Sequence, residues 1–300
     1  MLELNPAFGC EFRCAYCGIY ALEREYFGEV IVYDDFPAYL DNWLTEHRER
    51  VRDYYFYFSA KTDCLQPALI ESGITLDILN VLKNHGAQYF LVTKAGLPPA
   101  DIRDVLVASR DINQVIISAT MPDEELREKL EPGAAPIEDR LEFARFCADN
   151  GIFVTASCCP ILPIGDRLYL RDIFARLSAA GVKHFYFDFA RLSKDAVLNM
   201  IEAMPEQRGE FERHYFTPHA KVSRWHMPHR DLTIDKFQPP QEYMLDAFQR
   251  LAACVKEVVP DATVSICNHF ATPKTLQGFN NRARAECISC MGQRFADGGC

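Results

Sequence analysis

The sequence predicts an α/β protein, an open and partial (β/α)6 barrel, and three observations lead to that fold class. Short apolar or aromatic runs recur along the first two thirds of the chain, each continuous enough for a strand covered on both faces. Helical patterns lie between them, so successive strands are expected to be parallel with right-handed crossovers. The runs fall short of the eight strands of a closed barrel. A doubly wound open sheet is the competing architecture.

The predicted strands and helices alternate in a regular order. The first strand falls at residues 2–8, and the next ones at 54–58, 89–93, 115–118, 152–155 and 184–187. Helices are expected at 67–82 and 100–108, and two more follow from the apolar spacings of Ile137, Leu141, Ala144, Ala148 and of Leu170, Ile173, Phe174, Leu177. Gly151 and Gly181 follow these last two helices as stop signals.

The regular alternation ends near residue 195, which divides the chain into a barrel core, 1–195, and a C-terminal extension, 196–300. Prolines punctuate the first part of the extension. An amphipathic helix over 244–255 and a strand over 262–267 are predicted before a cysteine-bearing tail. We interpret the extension as an auxiliary metal-cluster region.

Composition excludes several classes of protein. The 300 residues are 49% hydrophobic and 25% charged, which is typical of globular proteins and not of disordered ones. No apolar run is long enough for a membrane span, and the first residues do not resemble a secretory leader. A cytoplasmic protein without a membrane partner is therefore expected. The net charge of −10 disfavours a polyanionic partner such as nucleic acid, although a local basic groove stays compatible with it.

Twelve cysteines are the unusual feature of the composition. A reducing compartment does not support a disulfide framework, so clustered cysteines indicate metal binding or catalysis. Cys10, Cys14 and Cys17 lie on a loop directly after the first predicted strand. Three thiolates at these spacings suit a [4Fe-4S] cluster with one iron left open. A structural zinc ion would need a fourth ligand, and none is evident nearby.

This loop resembles the CxxxCxxC loop of the radical S-adenosylmethionine (SAM) superfamily. Tyr16 occupies the aromatic position found before the third cysteine in that family. The resemblance implies that Cys10, Cys14 and Cys17 hold a [4Fe-4S] cluster, whose open iron chelates the amino and carboxylate groups of SAM. Reductive cleavage of SAM then releases a carbon radical. An electron donor such as flavodoxin or ferredoxin is the implied protein partner.

Further segments resemble the branch that contains spore photoproduct lyase. These segments are 5–10, 59–63, 92–94, 117–118, 130–133 with Arg140, and 160–163. The likeness spans residues 4 to 165 and implies that Lys94 and Ser118 help to hold SAM. A lysine can pair with the SAM carboxylate, and a hydroxyl can accept a hydrogen bond from its amine. Thr62, Asp63 and Thr120 are weaker candidates on the same rim.

One departure from that branch bears on the substrate. Spore photoproduct lyases carry a hydrogen-donating cysteine at the second strand end, where this chain has residues 60–63, and Cys64 lies off the matching position. The departure and the acidic charge disfavour DNA repair. We therefore expect lyase or transferase chemistry on a small molecule or a biosynthetic natural-product intermediate. A nucleic-acid lyase and a non-catalytic iron–sulfur or zinc module are the alternatives.

Two further groups of cysteines are candidates for a metal site or for catalysis. Four cysteines near the end of the sequence would suffice for a second [4Fe-4S] cluster or a zinc ion: Cys267, Cys287, Cys290 and Cys300. The resemblance favours iron and sulfur. The alternative is that Cys287 and Cys290 are a free thiol pair in the tail. Cys158 and Cys159 end the fifth strand, where one of them can donate a hydrogen atom to a substrate radical or both can simply be buried.

The sixth strand end supplies Asp188 as a candidate catalytic group, beside Tyr186 and Arg191. The segment 214–230 concentrates histidine, aromatic and basic residues. It either lines a pocket for an anionic or aromatic substrate or is a solvated connection.

Overall fold

We describe the protein from a computed structural model, which covers residues 1–18, 29–164, 170–227 and 232–266. The strands are β1 (Leu2–Leu4), β2 (Ala7–Phe8), β3 (Ile31–Val32), β4 (Tyr55–Phe58), β5 (Gln88–Thr93), β6 (Asn113–Ser118), β7 (Phe153–Ile161), β8 (His184–Phe189), β9 (Leu192–Ser193), β10 (Lys221–Met227), β11 (Leu232–Gln238) and β12 (Thr263–Ile266). The helices are α1 (Phe36–Glu46), α2 (Pro67–Glu71), α3 (Ile74–His85), α4 (Ala100–Ala108), α5 (Glu124–Leu130), α6 (Ile137–Asp149), α7 (Arg171–Ala179), α8 (Lys194–Ala203), α9 (Arg208–Tyr215) and α10 (Gln241–Val258). Short 3-10 helices cover Arg48–Asp53 and Pro205–Gln207.

Seven parallel strands form the central sheet, in the order β1-β4-β5-β6-β7-β8-β12. All six of its pairings are parallel. In the described parts of the chain, β1 and β12 have one strand neighbour each, so the sheet is open. The predicted α/β partial barrel is confirmed, with one strand more than the six expected. The extra strand, β12, is the one that the sequence placed in the C-terminal extension.

Burial explains why the strand segments read as continuous apolar runs. Every residue of β6 is buried, and so is every residue of β12. Helices on the outer face and side chains inside the barrel cover the two sides of the sheet, which is the usual arrangement of parallel sheets. Phe174 on α7 and Phe248 on α10 are fully buried and pack edge-on against Phe187 of β8, with ring centroids 6.0 and 5.7 Å apart.

Residues beyond 195 take part in two sheets. The predicted amphipathic helix is α10, which packs on α7 and β8 and so joins the barrel wall with β12. A second sheet has the antiparallel order β10-β11-β9, and a two-stranded ladder joins β2 to β3. The division of the chain at residue 195 stays a prediction. Among the helices that the structure describes, none combines the length and the apolar character required to cross a bilayer.

Candidate active site

The three cysteines predicted as metal ligands line one cavity of about 610 Å³ at the carboxyl ends of the strands. Cys14 is buried, and Cys10 and Cys17 are half-buried. Burial raises the pKa of Cys10 to about 12, and burial also raises the pKa of Cys14. Both thiols therefore keep their protons unless a cation binds them, and metal coordination supplies that cation.

The residues of the cysteine loop suit an iron–sulfur cluster. A cluster binds each thiolate at a different iron atom, so its ligands surround a volume and need not converge on one point. In the part of the chain that the structure describes, the cysteine loop included, no three His, Cys, Asp or Glu side chains are close enough to bind a single metal ion. Three soft thiolates facing a shared cavity thus fit the cluster.

Backbone contacts fix the cysteine loop to the segment that follows α5. Ala15 N donates to Leu130 O at 2.8 Å, and Gly133 N donates to Phe12 O at 3.2 Å. A Cβ atom at Gly133 would lie 2.1 Å from Glu11 O, so no other residue permits this approach. The glycine of segment 130–133 is thereby explained by close backbone packing.

A second set of contacts holds the other side of the loop to the start of α2. Glu11 N donates to Gln66 Oε1 at 3.0 Å, and Gln66 Nε2 donates to Gly9 O at 3.3 Å. The Glu11 carboxylate accepts from Ala68 N at 2.8 Å. The loop is therefore held in place by segments that follow two different strands.

Tyr16 belongs to a buried charged network. Its hydroxyl donates to Glu131 Oε1, and Glu131 Oε2 lies 2.6 Å from Arg140 Nη2. Both partners of this ion pair are almost completely buried. Arg140 also donates to Ser118 O at 3.1 Å, which links the network to the end of β6. Tyr16 thus reaches the candidate SAM residues through Glu131 and Arg140.

Lys94 and Ser118 lie side by side at the ends of β5 and β6. Lys94 Nζ is 3.4 Å from Ser118 Oγ and 5.7 Å from the centroid of the Tyr16 ring. Burial lowers the pKa of Lys94, but the negative charges of Cys14, in its thiolate form, and of Glu131 outweigh it and raise the pKa overall. The lysine therefore keeps its charge beside the cysteine loop, as binding of a carboxylate requires.

Asp63 lies on the cavity wall and connects two strand ends. Its carboxylate accepts from Thr93 Oγ1 and Lys94 N, both at 2.8 Å, and from Leu65 N at 2.9 Å. Burial raises its pKa, although these hydrogen bonds oppose the change. The carboxylate thus orients Lys94. Thr62, also on the wall, donates to Ser59 Oγ at 3.3 Å.

The strand register separates the two candidate cysteines of β7. Ser118 pairs with Ser157, and Ser157 with Tyr186. Paired residues of neighbouring strands share a sheet face, and so do alternate residues of one strand. Ser157 and Cys159 therefore lie on the same face as Ser118, the barrel interior, and Cys158 faces outward. Cys158 is completely buried, and neither cysteine is among the residues that line the cavity, so the roles of both cysteines stay predictions.

The remaining candidate residues lie near the cavity wall or outside the described residues. Asp188 is on the interior face, where its carboxylate accepts from Arg191 Nη2 at 2.8 Å. Thr120 is buried and donates to Cys159 O at 2.6 Å, so it supports the β7 end and does not line the cavity. The proposed second metal site, Cys267, Cys287, Cys290 and Cys300, lies outside the described residues.

Several cavity-lining residues were not singled out from the sequence. Glu3 and Tyr57 line it from β1 and β4, and Lys236 reaches it from β11 of the second sheet. Alternation along β1 and β4 could have indicated the first two. Lys236 has no local signal, because its position depends on the pairing of β11 with β9.

The chain is similar to known proteins in sequence and in fold. Residues 4–167 match the family model described as the radical SAM superfamily, which is more than half of the chain. No curated protein sequence matches the chain. The fold is similar to that of spore photoproduct lyase complexed with dinucleoside spore photoproduct, with a TM-score of 0.65, 16% identity, and coverage of 87% of this chain and 75% of that one.

A second solved structure is similar over most of this chain. It is the radical SAM methyltransferase TsrM from Kitasatospora setae with tryptophan and a SAM analogue bound, with a TM-score of 0.54, 12% identity, and coverage of 90% of this chain and 55% of that one. At these identities the two likenesses show the fold alone. The family match and the cysteine loop agree, and the chain belongs to the radical SAM superfamily of enzymes.

Proposed function

We propose that the protein cleaves SAM reductively at a [4Fe-4S] cluster held by Cys10, Cys14 and Cys17, and uses the radical on a small-molecule substrate. The observation that carries this proposal is the shared cavity of about 610 Å³, which is lined by all three cysteines and by Lys94. When bound, the reduced cluster supplies the electron that breaks a carbon–sulfur bond of SAM. The residues of the chain provide binding, orientation and exclusion of water.

The SAM site is assigned to the wall beside the cysteine loop. Lys94 pairs with the carboxylate of SAM, and Ser118 accepts a hydrogen bond from its amine. Tyr16 contacts Lys94 through its ring and is held in place by Glu131. Thr62 supplies a hydroxyl on the same wall, and Asp63 acts by orienting the Lys94 backbone.

The substrate is assigned to the remaining part of the barrel interior. Cys159 is the candidate donor of a hydrogen atom or proton, because it is half-buried on the interior face. Asp188 orients Arg191 at the cavity wall. An external donor such as flavodoxin or ferredoxin supplies the electron. We infer a cytoplasmic location, where the compartment keeps thiols reduced.

A nucleic-acid lyase is the second candidate function, favoured by the cationic residues of the cavity wall. Against it stands Cys64, which is completely buried and does not line the cavity. The segment that follows β4, the second strand of the barrel, therefore places no cysteine in the cavity. A small-molecule substrate is therefore favoured over nucleic acid.

The test is anaerobic reconstitution followed by iron counting and analysis of SAM products. Wild-type protein is expected to cleave SAM when reduced, and Cys14→Ala is expected to lose cleavage and the irons of the cluster that Cys14 binds. Cys147→Ala, a buried cysteine on α6, is the control and should keep both. Cleavage retained in Cys14→Ala overturns the assignment. A wild-type protein that binds iron without cleaving SAM supports the non-catalytic module.

The same preparation tests the C-terminal cysteines. A second [4Fe-4S] cluster predicts about eight irons per chain, and about four after Cys287→Ala. About four irons in the wild-type protein would contradict the second cluster.

A further inference from the structure

The wall of the cavity is strongly cationic in a chain whose net charge is −10. Its cationic side chains are those of Arg13, Lys61, Lys94, Arg191 and Lys236, and its acidic ones are those of Glu3 and Asp63. The Asp63 carboxylate already accepts three hydrogen bonds from the chain. An acidic protein that concentrates positive charge inside its cavity attracts anionic ligands to that cavity.

One of these cations lies in the second sheet and another lies directly beside it. Arg191 directly precedes β9, and Lys236 of β11 pairs in register with Ser193 of β9. Lys236 Nζ lies 4.0 Å from the position that a Cβ atom at Gly18 would take, directly after the cysteine loop. The antiparallel pairing therefore brings two cations to the cavity from outside the parallel sheet.

The two cations lie close enough to affect each other. Burial and the neighbouring Arg191 lower the pKa of Lys236, and Cys17 opposes them in part. Asp188 pairs with Arg191 at 2.8 Å and offsets part of the charge. Two partly buried like charges repel each other, and an anion bound between them removes that cost.

This pair follows a different strand end from the candidate SAM residues. Lys94 follows β5 and Arg191 follows β8, which lies three strands further along the sheet. Three strand spacings correspond to roughly 14 Å of backbone along the sheet, so we assign the two sets of cations on the shared cavity wall to different anionic groups.

We propose that Arg191 and Lys236 form a subsite that binds a carboxylate or phosphate group of the small-molecule substrate. The inference rests on the proposed function and deepens it, because it assigns the substrate a chemical class. Arg191 supplies a planar donor fork that matches either anion, and Lys236 supplies a point charge. The anion would anchor the substrate beside the cysteine loop.

The test uses inorganic pyrophosphate as the probe, titrated calorimetrically into anaerobically reconstituted protein loaded with SAM. Wild-type protein is expected to bind it, and Lys236→Gln and Arg191→Gln are each expected to weaken binding by about tenfold or more, because a charge-assisted contact is lost. Lys236→Arg should retain binding. Lys221→Gln on the exposed part of β10 is the matched control and should leave binding unchanged.

Four outcomes overturn the proposal. Pyrophosphate fails to bind the wild-type protein, or it binds Lys236→Gln equally well. SAM affinity falls in Lys236→Gln as much as pyrophosphate affinity does, which would assign the pair to SAM. A short oligothymidylate binds in a Lys236-dependent way while pyrophosphate does not, which would assign it to nucleic acid. Binding is measured without turnover, so failure to cleave SAM sinks the proposed function, whereas cleavage without anion binding sinks only this inference.

Discussion

The buried network behind the cysteine loop allows a quantitative test through Glu131→Gln. Glu131 is completely buried, and its Oε2 lies 2.6 Å from Nη2 of Arg140, whose side chain is only 4% exposed. The carboxylate also accepts from Tyr16 and lies near Lys94. Glutamine keeps the volume of the side chain and removes its charge. The variant therefore leaves the Arg140 cation buried without its counterion.

The expected loss of stability follows from that geometry. Removing one partner of a buried ion pair costs about 3–5 kcal/mol. Glutamine still offers an acceptor oxygen, so we expect the lower end, about 3 kcal/mol, or roughly a hundredfold in the unfolding equilibrium. The matched control is Asp246→Asn, which breaks an exposed pair with Arg250 at 3.0 Å. Exposed pairs at this spacing contribute about 0.3–0.5 kcal/mol.

Urea unfolding of the metal-free protein under reducing conditions, followed by circular dichroism, measures both variants. A loss below about 1 kcal/mol in Glu131→Gln, or one no larger than in Asp246→Asn, would refute the reasoning.

A pH series adds a second measurement on the same two proteins. Burial raises the pKa of Glu131, but Arg140 and Lys94 outweigh it and lower the pKa below its ordinary value of 4.5. The stability from the ionised carboxylate is present above that value, so the difference between wild type and variant should shrink as pH falls below it.

Three further predictions concern other parts of the fold. Gly133→Ala should cost about 1–3 kcal/mol and lower the iron content after reconstitution, because the added Cβ meets Glu11 O; unchanged iron would contradict this. Burial lowers the pKa of His184 from 6.5 to about 3, so only the unfolded state takes up a proton between these two pH values. The free energy of unfolding should therefore fall by about 2 kcal/mol from pH 7 to pH 5. His184→Asn, compared by urea unfolding, should lack this part of the slope. Iodoacetamide should alkylate Cys159 at least about tenfold faster than the buried Cys158 in folded protein, as followed by mass spectrometry; equal rates would argue against the assigned faces.

The parallel core was predictable from the sequence because its signals are local. Six strands stand where continuous apolar runs predicted them, since strands covered on both faces need such runs. The cysteine loop and Lys94 were predictable because the family motif fixes their positions relative to strand ends. The amphipathic pattern of α10 also identified that helix correctly.

Features that depend on distant pairing were not predictable in this way. β12 reads as a strand, but nothing local shows that it pairs with β8 in the main sheet. Lys236 reaches the cavity only because β11 pairs with β9. The face of Cys159 required the register of β7 against β6, since a shift of one residue exchanges the two cysteines.

The contacts of the cysteine loop have a consequence for metal loading. Residues 9–17 make hydrogen bonds to segments 66–68 and 130–133, and these bonds involve no metal. Ordering a loop of this length costs on the order of 10 kcal/mol of conformational entropy. The hydrogen bonds from segments 66–68 and 130–133 offset part of that cost, so less of it is subtracted from the free energy of cluster binding. The backbone contacts of the loop therefore contribute to the affinity for iron as well as to the stability of the fold.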